Sequence, residues 1–289
     1  MKHLSHKSFI VFQIITVIAL FLNTKPVVSQ SSGSVRLAYN YPGDKSVKYL
    51  STSKILQNMD VDGQIMSINV NVILGCSVKG LGKDKNDLVL EIKIDTLVQS
   101  IDSPGGLMGG EMKETAGKVF RMKILPTGKE TDLTEADQIK YLNYEGVSNS
   151  LKESFTDFFP DVPAEAIIPG YTWQSTDTIS SKTPSNDIFM IIRSENKFEG
   201  FEQLNGISCA RISYVFSGSR DVKTQNQGMD IKMKGPITGT GELFFATDKG
   251  YFLKQIVKIR MTGEVEITTP DIMSFPVTMD QSSVTEVKN

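Results

Sequence analysis

The chain has 289 residues, of which 39% are hydrophobic, and its formal net charge is −2. A near-neutral charge with no block of Lys or Arg argues against a nucleic-acid partner. Both histidines, His3 and His6, precede residue 30, and only two cysteines are present. Beyond residue 30 the sequence therefore lacks the groups for Ser-His-Asp or Cys-His catalysis and for a His-bound or four-cysteine metal site. We expect a protein that is not an enzyme and that holds neither a cofactor nor a metal.

The amino-terminal residues 1–29 have the pattern of a secretory signal peptide. Lys2 and Lys7 make a basic start, residues 9–22 are nearly all apolar, and residues 27–29 (VVS) supply the small residues of a cleavage site. A permanent membrane anchor is the alternative, but the apolar run is shorter than the ~20 residues that a spanning helix needs. We predict an exported protein, periplasmic, envelope-associated or secreted, with no transmembrane segment after cleavage. Loss of three lysines and no acid takes the formal charge from −2 to −5.

Residues 30–133 form the first of two predicted β-rich halves. Alternating apolar and polar residues predict antiparallel strands that bury one face, at residues 35–41, 49–59, 65–78 and 88–97, and from Gly117 to Pro126. Residues 58–63 (NMDVDG) resemble the start of a calcium loop, whose twelfth residue must be acidic. That position is Asn69, so the sequence favours a two-residue hairpin turn at Asp62-Gly63.

A glycine-rich tip follows at residues 103–110 (SPGGLMGG). It is not a phosphate-binding loop, because Glu111 stands where that motif has lysine. Four glycines surround Leu107 and Met108. This pattern predicts a flap over an apolar pocket, a membrane-touching tip or a simple hairpin end.

Residues 134–170 are predicted to be a helical segment and connector. Apolar residues fall at the helical steps i, i+4 and i+7, as Leu151, Phe155 and Phe158. Ser150 is the expected N-cap, and Pro160 is expected to end the helix. A shorter helix, capped by Asp132 or Thr134, precedes it.

Residues 171–289 form the second β-rich half. Predicted strands cover residues 173–179, 188–193, 198–204, 207–216, 229–233, 237–246, 251–261, 264–268 and 275–279. Asn205-Gly206 is a two-residue hairpin signal. The order glycine, phenylalanine, glycine recurs in both halves, which indicates either an old duplication or the glycine content of any hairpin: Gly117, Phe120 and Gly128; Gly241, Phe244 and Gly250.

The predicted fold is mainly β. It is a large curved antiparallel sheet, half-barrel-like, built from two halves and with one or two short helices packed on its concave face. Cys76 and Cys209 lie in different halves, each on an apolar strand face. They form either a disulfide, as in an oxidising compartment, or two buried thiols.

Four short segments resemble an uncharacterised family of exported Gram-negative envelope proteins, a domain of unknown function: residues 41–43 (YPG), 169–173 (PGYTW), 205–210 (NGISCA) and 239–241 (GTG) leading to Phe244. The strand and turn rhythm also looks like that of lipoprotein-localisation-factor-like carriers. That resemblance implies a curved sheet that wraps around helices and encloses an apolar cavity.

The function that we predict is non-enzymatic binding of an apolar, lipid-like ligand in the cell envelope. The candidate ligand-binding residues are Leu107, Met108, Met112, Phe120, Met122, Phe155, Phe158 and Phe244. Flexible methionines of both halves suit greasy ligands, although they also fill cores: Met108, Met112, Met122, Met229, Met233 and Met261. The alternatives are a structural or interaction module with an envelope protein partner, and a carboxylate-dependent hydrolase.

Overall fold

The computed structural model describes residues 33–142, 148–182, 186–226, 229–268 and 272–288. The signal peptide predicted for residues 1–29 lies outside these residues. The first half of the described chain contains the strands β1 (Val35–Arg36), β2 (Val47–Val61), β3 (Gln64–Asp84), β4 (Asp87–Ser103), β5 (Gly106–Glu111), β6 (Val119–Ile124) and β7 (Glu130–Asp132).

Short elements connect the two halves: α1 (Thr134–Gln138), β8 (Lys140–Leu142), β9 (Ser148–Ser150), α2 (Leu151–Phe155) and β10 (Ala166–Ile167). Six long strands follow: β11 (Thr172–Lys182), β12 (Asn186–Leu204), β13 (Ile207–Asn226), β14 (Met229–Ala246), β15 (Tyr251–Ile267) and β16 (Met273–Lys288). The prediction of a mainly β protein with one or two short helices is confirmed for the described residues.

Twelve strands form one open antiparallel sheet. Their order is β11-β12-β13-β14-β15-β16-β2-β3-β4-β6-β7, and β5 pairs with β4 beside this path. The strands of each predicted half are neighbours, and the halves join where β16 pairs with β2. Ser53 and Ser283 hydrogen-bond across this join although they are 230 positions apart in the sequence.

The sheet is strongly curved, as predicted. Ile55 of β2 and Ile179 of β11 lie six interstrand steps apart, which in a flat sheet amounts to roughly 29 Å. Both side chains nevertheless line the same cavity. The sheet therefore bends around its apolar side, which we call the inner face.

Helix α2 packs on the inner face. Phe155 is fully buried and meets Phe120 of β6 edge-on, with ring centroids 5.1 Å apart. Phe158 lies against Tyr49 at 5.8 Å and against Phe252 at 6.3 Å. The prediction that Phe155 and Phe158 are shielded on the concave side is confirmed.

The helix is shorter than predicted. It begins after Ser150, which occupies the N-cap position without a side-chain capping bond, and it ends at Phe155 rather than near Pro160. The backbone turns extended at Thr156, and the next residue, Asp157, has a φ of 58° in the left-handed region that aspartate tolerates, so the helix cannot continue. Phe158 therefore points into the core from an irregular segment.

Several strands predicted separately are continuous in the structure. Residues 229–233 and 237–246 belong to β14, and residues 251–261 and 264–268 fall largely within β15. The β14–β15 ladder is interrupted at Gly235-Pro236. A Cβ atom on Gly235 would overlap the carbonyl oxygen of Thr262, so glycine here allows the strands to bend without ending.

Of the two alternatives for Cys76 and Cys209, the disulfide is corrected, because both residues are free, buried thiols in the structure. Cys76 is on β3 and Cys209 is on β13, and four strands of the sheet lie between these two. A disulfide would have to join strands that lie five interstrand steps apart, and the structure forms no such bond. Each thiol is packed as a small apolar group instead.

Candidate functional site: an apolar cavity on the inner face

The inner face changes from a packed core to an open cavity along the long strands. Close to α2 it is filled, and Ile212 and Leu243 are each only 2% exposed. Further along, the face borders an open cavity of about 730 Å³. Apolar side chains from seven strands line it and are only partly buried, among them Ile55, Ile179, Ile192, Phe216, Met233, Ile259 and Met279.

Two glycines help to keep this space open. Gly239 and Gly241 of β14 lie on the inner face, directly opposite Phe216 and Tyr214 of β13. A Cβ atom on Gly241 would overlap the Tyr214 ring, and one on Gly239 would overlap the Phe216 ring and the carbonyl oxygen of Lys258. The two rings therefore lie flat against glycine backbone, as aromatic residues do over glycine in sheets, and form a wall.

The opposite, outer face has a different chemistry. It carries two larger hollows, of about 1040 and 860 Å³, which are lined mainly by polar and charged side chains. Ion pairs cross this face, including Arg260 with Asp280 at 3.4 Å and Lys254 with Glu286 at 3.6 Å. Because fewer apolar side chains line these hollows, the cavity on the inner face is the better candidate for an apolar ligand.

One arginine projects into the apolar cavity. Arg220 of β13 lines it together with Met233, Met261 and Met279. Its Nη1 lies 3.6 Å from Sδ of Met261, which is a weak acceptor, and its Nε is buried without a hydrogen-bond partner among the described residues. Burial lowers the pKa of the Arg220 guanidinium from its ordinary value, but arginine stays charged.

Three carboxylates line the cavity where residues 156–161 approach β11. Burial raises the pKa of Asp161 to about 6, and repulsion from Asp177 and Asp157 adds to the effect. Burial and Asp177 likewise raise the pKa of Asp157, while Lys129 opposes the change. Asp157 and Asp161 remain accessible to solvent, so water screens much of this repulsion.

The residues predicted as ligand-binding lie elsewhere. Leu107 and Met108 are 76% and 49% exposed on the β4–β5 hairpin. Most of the others are buried in the packed core around α2: Met112, Phe120, Met122, Phe155 and Phe158. Phe244 is buried too, but it follows the cavity-lining Leu243 and so lies on the other side of β14. Ligand contact by any of them stays a prediction.

Sequence reasoning found two lining methionines, Met233 and Met261, but missed most of the cavity. The side chain of Met229 lies outside the described residues. Polar residues such as Ser194, Gln255 and Gln281 interrupt the apolar lining and weaken its periodic signal. The signal that could have revealed the cavity is a pair of glycines at alternating positions, Gly239 and Gly241, within an otherwise bulky strand.

No protein-family model matches the sequence, and no curated protein is similar to it. Several solved structures match weakly, and three of them are as follows. The beta domain of the Bordetella autotransporter Brka has 8% identity and a TM-score of 0.25, over 85% of this chain and 100% of that one. A DUF1329 family protein from Desulfovibrio piger has 12% identity and a TM-score of 0.14, over 80% and 83%. A chain described under "Asymmetric conductivity of engineered proteins" has 7% identity and a TM-score of 0.17, over 84% and 99%. TM-scores this low carry no argument about fold or function.

The described residues contain no helix with the length and apolar character needed to span a membrane. Within the same residues, no group of three or more His, Cys, Asp or Glu side chains is placed to hold a metal ion.

Proposed function

We propose that this protein is a non-enzymatic carrier or sensor that binds an apolar, lipid-like ligand in the cell envelope. The observation that carries the proposal is the apolar cavity on the inner face. Its volume of about 730 Å³ falls within the ~300–1,000 Å³ of pockets that enclose small-molecule ligands. The leader-like residues 1–29 support export.

The distribution of burial also supports binding. A core that serves only stability is close-packed, with few voids larger than a water molecule. Here the packed core surrounds α2, and a second small cluster of Val265, Phe275 and Val277 is separate from it. The cavity lies between the two, where Ile192 and Ile259 are only partly buried. Exposed apolar lining of this kind is costly unless something covers it.

The test is binding of a neutral dye that fluoresces in apolar surroundings, N-phenyl-1-naphthylamine, combined with mass spectrometry of lipids extracted from the purified protein. Ser194→Trp would fill the cavity, because Ser194 lines it. Glu195→Trp is the matched control, since the next residue on β12 is exposed on the outer face.

We expect dye binding to weaken by about tenfold or more in Ser194→Trp and to persist in Glu195→Trp, with both variants folded by circular dichroism. Equal dye binding by the two variants would refute the cavity as the site. A wild-type protein that binds no dye and carries no extractable lipid would refute the function.

A second candidate function, an interaction module for an envelope protein, is favoured by the edge of the sheet. β11 pairs with β12 alone, so one side of an 11-residue strand has no strand partner within the described chain. Such an edge accepts an added strand. A photo-crosslinking residue at Thr178 on β11, compared with one at Ser217 on the central β13, tests this in intact cells. Edge-specific crosslinks to a single protein would support it.

A further inference from the structure

The side chain of Arg220 places one positive charge among the apolar side chains of the cavity. Arg220 faces the same side of the sheet as its cross-strand partner Met190, and both line the cavity. Met233, Met261 and Met279 complete its surroundings. Within the described residues, no carboxylate forms an ion pair with Arg220, although ten other pairs join charged groups elsewhere.

An unpaired cation among methionines is destabilising, because removal from water is not offset by an opposite charge. Arginine has five N–H donors in a planar fork that matches a carboxylate or a phosphate. Nη1 makes one weak hydrogen bond, to the Met261 sulfur at 3.6 Å. The buried Nε makes none. The donors of Arg220 are therefore free for an anionic group inside the cavity.

The cavity also has room for the apolar part of such a ligand. A methylene group occupies about as much space as a water molecule in the liquid, ~30 Å³, so one sixteen-carbon chain has a volume of roughly 500 Å³. The cavity of about 730 Å³ therefore accommodates at least one such chain.

We propose that the ligand is an anionic amphiphile, whose alkyl part lies along the apolar lining and whose carboxylate or phosphate group binds Arg220. This deepens the proposed function and rests on it. The three cavity carboxylates lie where residues 156–161 approach β11, and none is paired with Arg220. They would repel an anion, which favours Arg220 as the place of the headgroup.

Displacement of the neutral dye by compounds with the same sixteen-carbon chain tests the proposal on the wild-type protein. Hexadecanoate and hexadecyl phosphate are the two anionic probes, and hexadecan-1-ol is the neutral one. We expect the better anion to displace the dye at about tenfold lower concentration than the alcohol, as one charge-assisted hydrogen-bonded pair predicts. The stronger of the two anions identifies the headgroup.

Arg220→Met provides the second arm, and it matches the methionines around this position. It should abolish the preference for the anion and leave hexadecan-1-ol unchanged, while Arg220→Lys should keep part of the preference. Arg193→Met is the control, because Arg193 is exposed on the outer face of β12.

The outcomes separate the two proposals. If the alcohol competes as well as both anions, and Arg220→Met changes nothing, the headgroup assignment is wrong although the cavity still binds apolar ligands. If none of the three compounds displaces the dye, the headgroup assignment to Arg220 is wrong. If the wild-type protein does not bind the dye at all, the carrier function is wrong as well.

Discussion

The hydroxyl oxygens of Tyr41 and Tyr49 lie 2.8 Å apart within the buried core. Tyr49 donates its own proton to the backbone carbonyl of Phe252 at 2.8 Å, so Tyr41 is the donor to Tyr49. This chain of two hydrogen bonds connects β2 to β15, which have only β16 between them in the sheet. It therefore ties the first half of the protein to the second beside their join.

Removing either hydroxyl should destabilise the protein, and by different amounts. Tyr49→Phe leaves both the Tyr41 donor and the Phe252 carbonyl without this partner, so we expect a loss of about 2–3 kcal/mol in the free energy of unfolding. Tyr41→Phe leaves only one acceptor position of Tyr49 unused and should cost about 1 kcal/mol. Urea unfolding measures both values. Equal losses would contradict the direction of the hydrogen bonds.

Replacing Gly239 or Gly241 with alanine should also lower the stability of the protein, by unequal amounts. At Gly241 the added Cβ overlaps the Tyr214 ring, which can move towards the cavity, and we expect a cost of about 1–2 kcal/mol with weaker dye binding. At Gly239 it also meets the backbone of Lys258, which cannot move as easily, and we expect about 2–3 kcal/mol. Thr240→Ala, on the exposed face between them, is the control. A Gly241→Ala variant with unchanged stability and dye binding would argue against the flat-ring wall.

Glu130 should make stability depend on pH. Burial raises its pKa to about 7, despite hydrogen bonds from backbone amides that favour the charged form. The pKa of this carboxyl is higher in the folded state than in the unfolded state. The free energy of unfolding therefore falls as pH rises from about 4.5 to 7, because in this range the unfolded state loses the proton and the folded state still holds it. Glu130→Gln should therefore be stabilising by about 1–2 kcal/mol at pH 8 and neutral near pH 4, the partial exposure reducing the full effect.

Thermal unfolding of wild type and Glu130→Gln between pH 4 and 8 measures this difference. Glu195→Gln, at an exposed position of the outer face, controls for the loss of one negative charge. A constant difference across the pH range would show that the Glu130 carboxyl does not titrate with folding.

The two thiols should be inert in the folded protein. Burial raises the pKa of Cys76 well above its usual range and that of Cys209 to about 11, and the thiolate is the reactive form. We expect no reaction with a thiol reagent such as dithionitrobenzoate at pH 8 in native buffer, and two thiols per chain in denaturant without reductant. Detection of no thiol after unfolding would instead show a disulfide.

Patterns that repeat locally were predictable from the sequence. Alternation in residues 88–94 identified a one-sided strand, and Leu88, Leu90, Ile92 and Ile94 are all 5% exposed or less. The turns at Asp62-Gly63 and Asn205-Gly206 have positive φ at both residues, as a two-residue hairpin requires. These features depend on neighbouring residues alone.

Features that depend on distant residues were not predictable. The pairing of β16 with β2 has no local signature, and without it the cavity cannot be placed. Lining positions combine Ile192 and Ile259 with Ser194 and Gln281, so no single strand looks like the wall of a pocket. Leu107 and Met108 were predicted to bind a ligand because they are apolar residues in a glycine-rich tip. The β4–β5 hairpin instead places them on an edge strand, away from the cavity.

The late position of β16 in the chain has a consequence for biosynthesis. During synthesis β2 can pair with β3 at once, but its other side waits for β16, whose residues emerge about 230 positions later, as the contact of Ser53 with Ser283 shows. Until then the nascent molecule presents an unprotected strand border to other copies of itself. A chain truncated ahead of Met273 should consequently aggregate, and holdase chaperones that mask this border should raise the yield of the full-length protein.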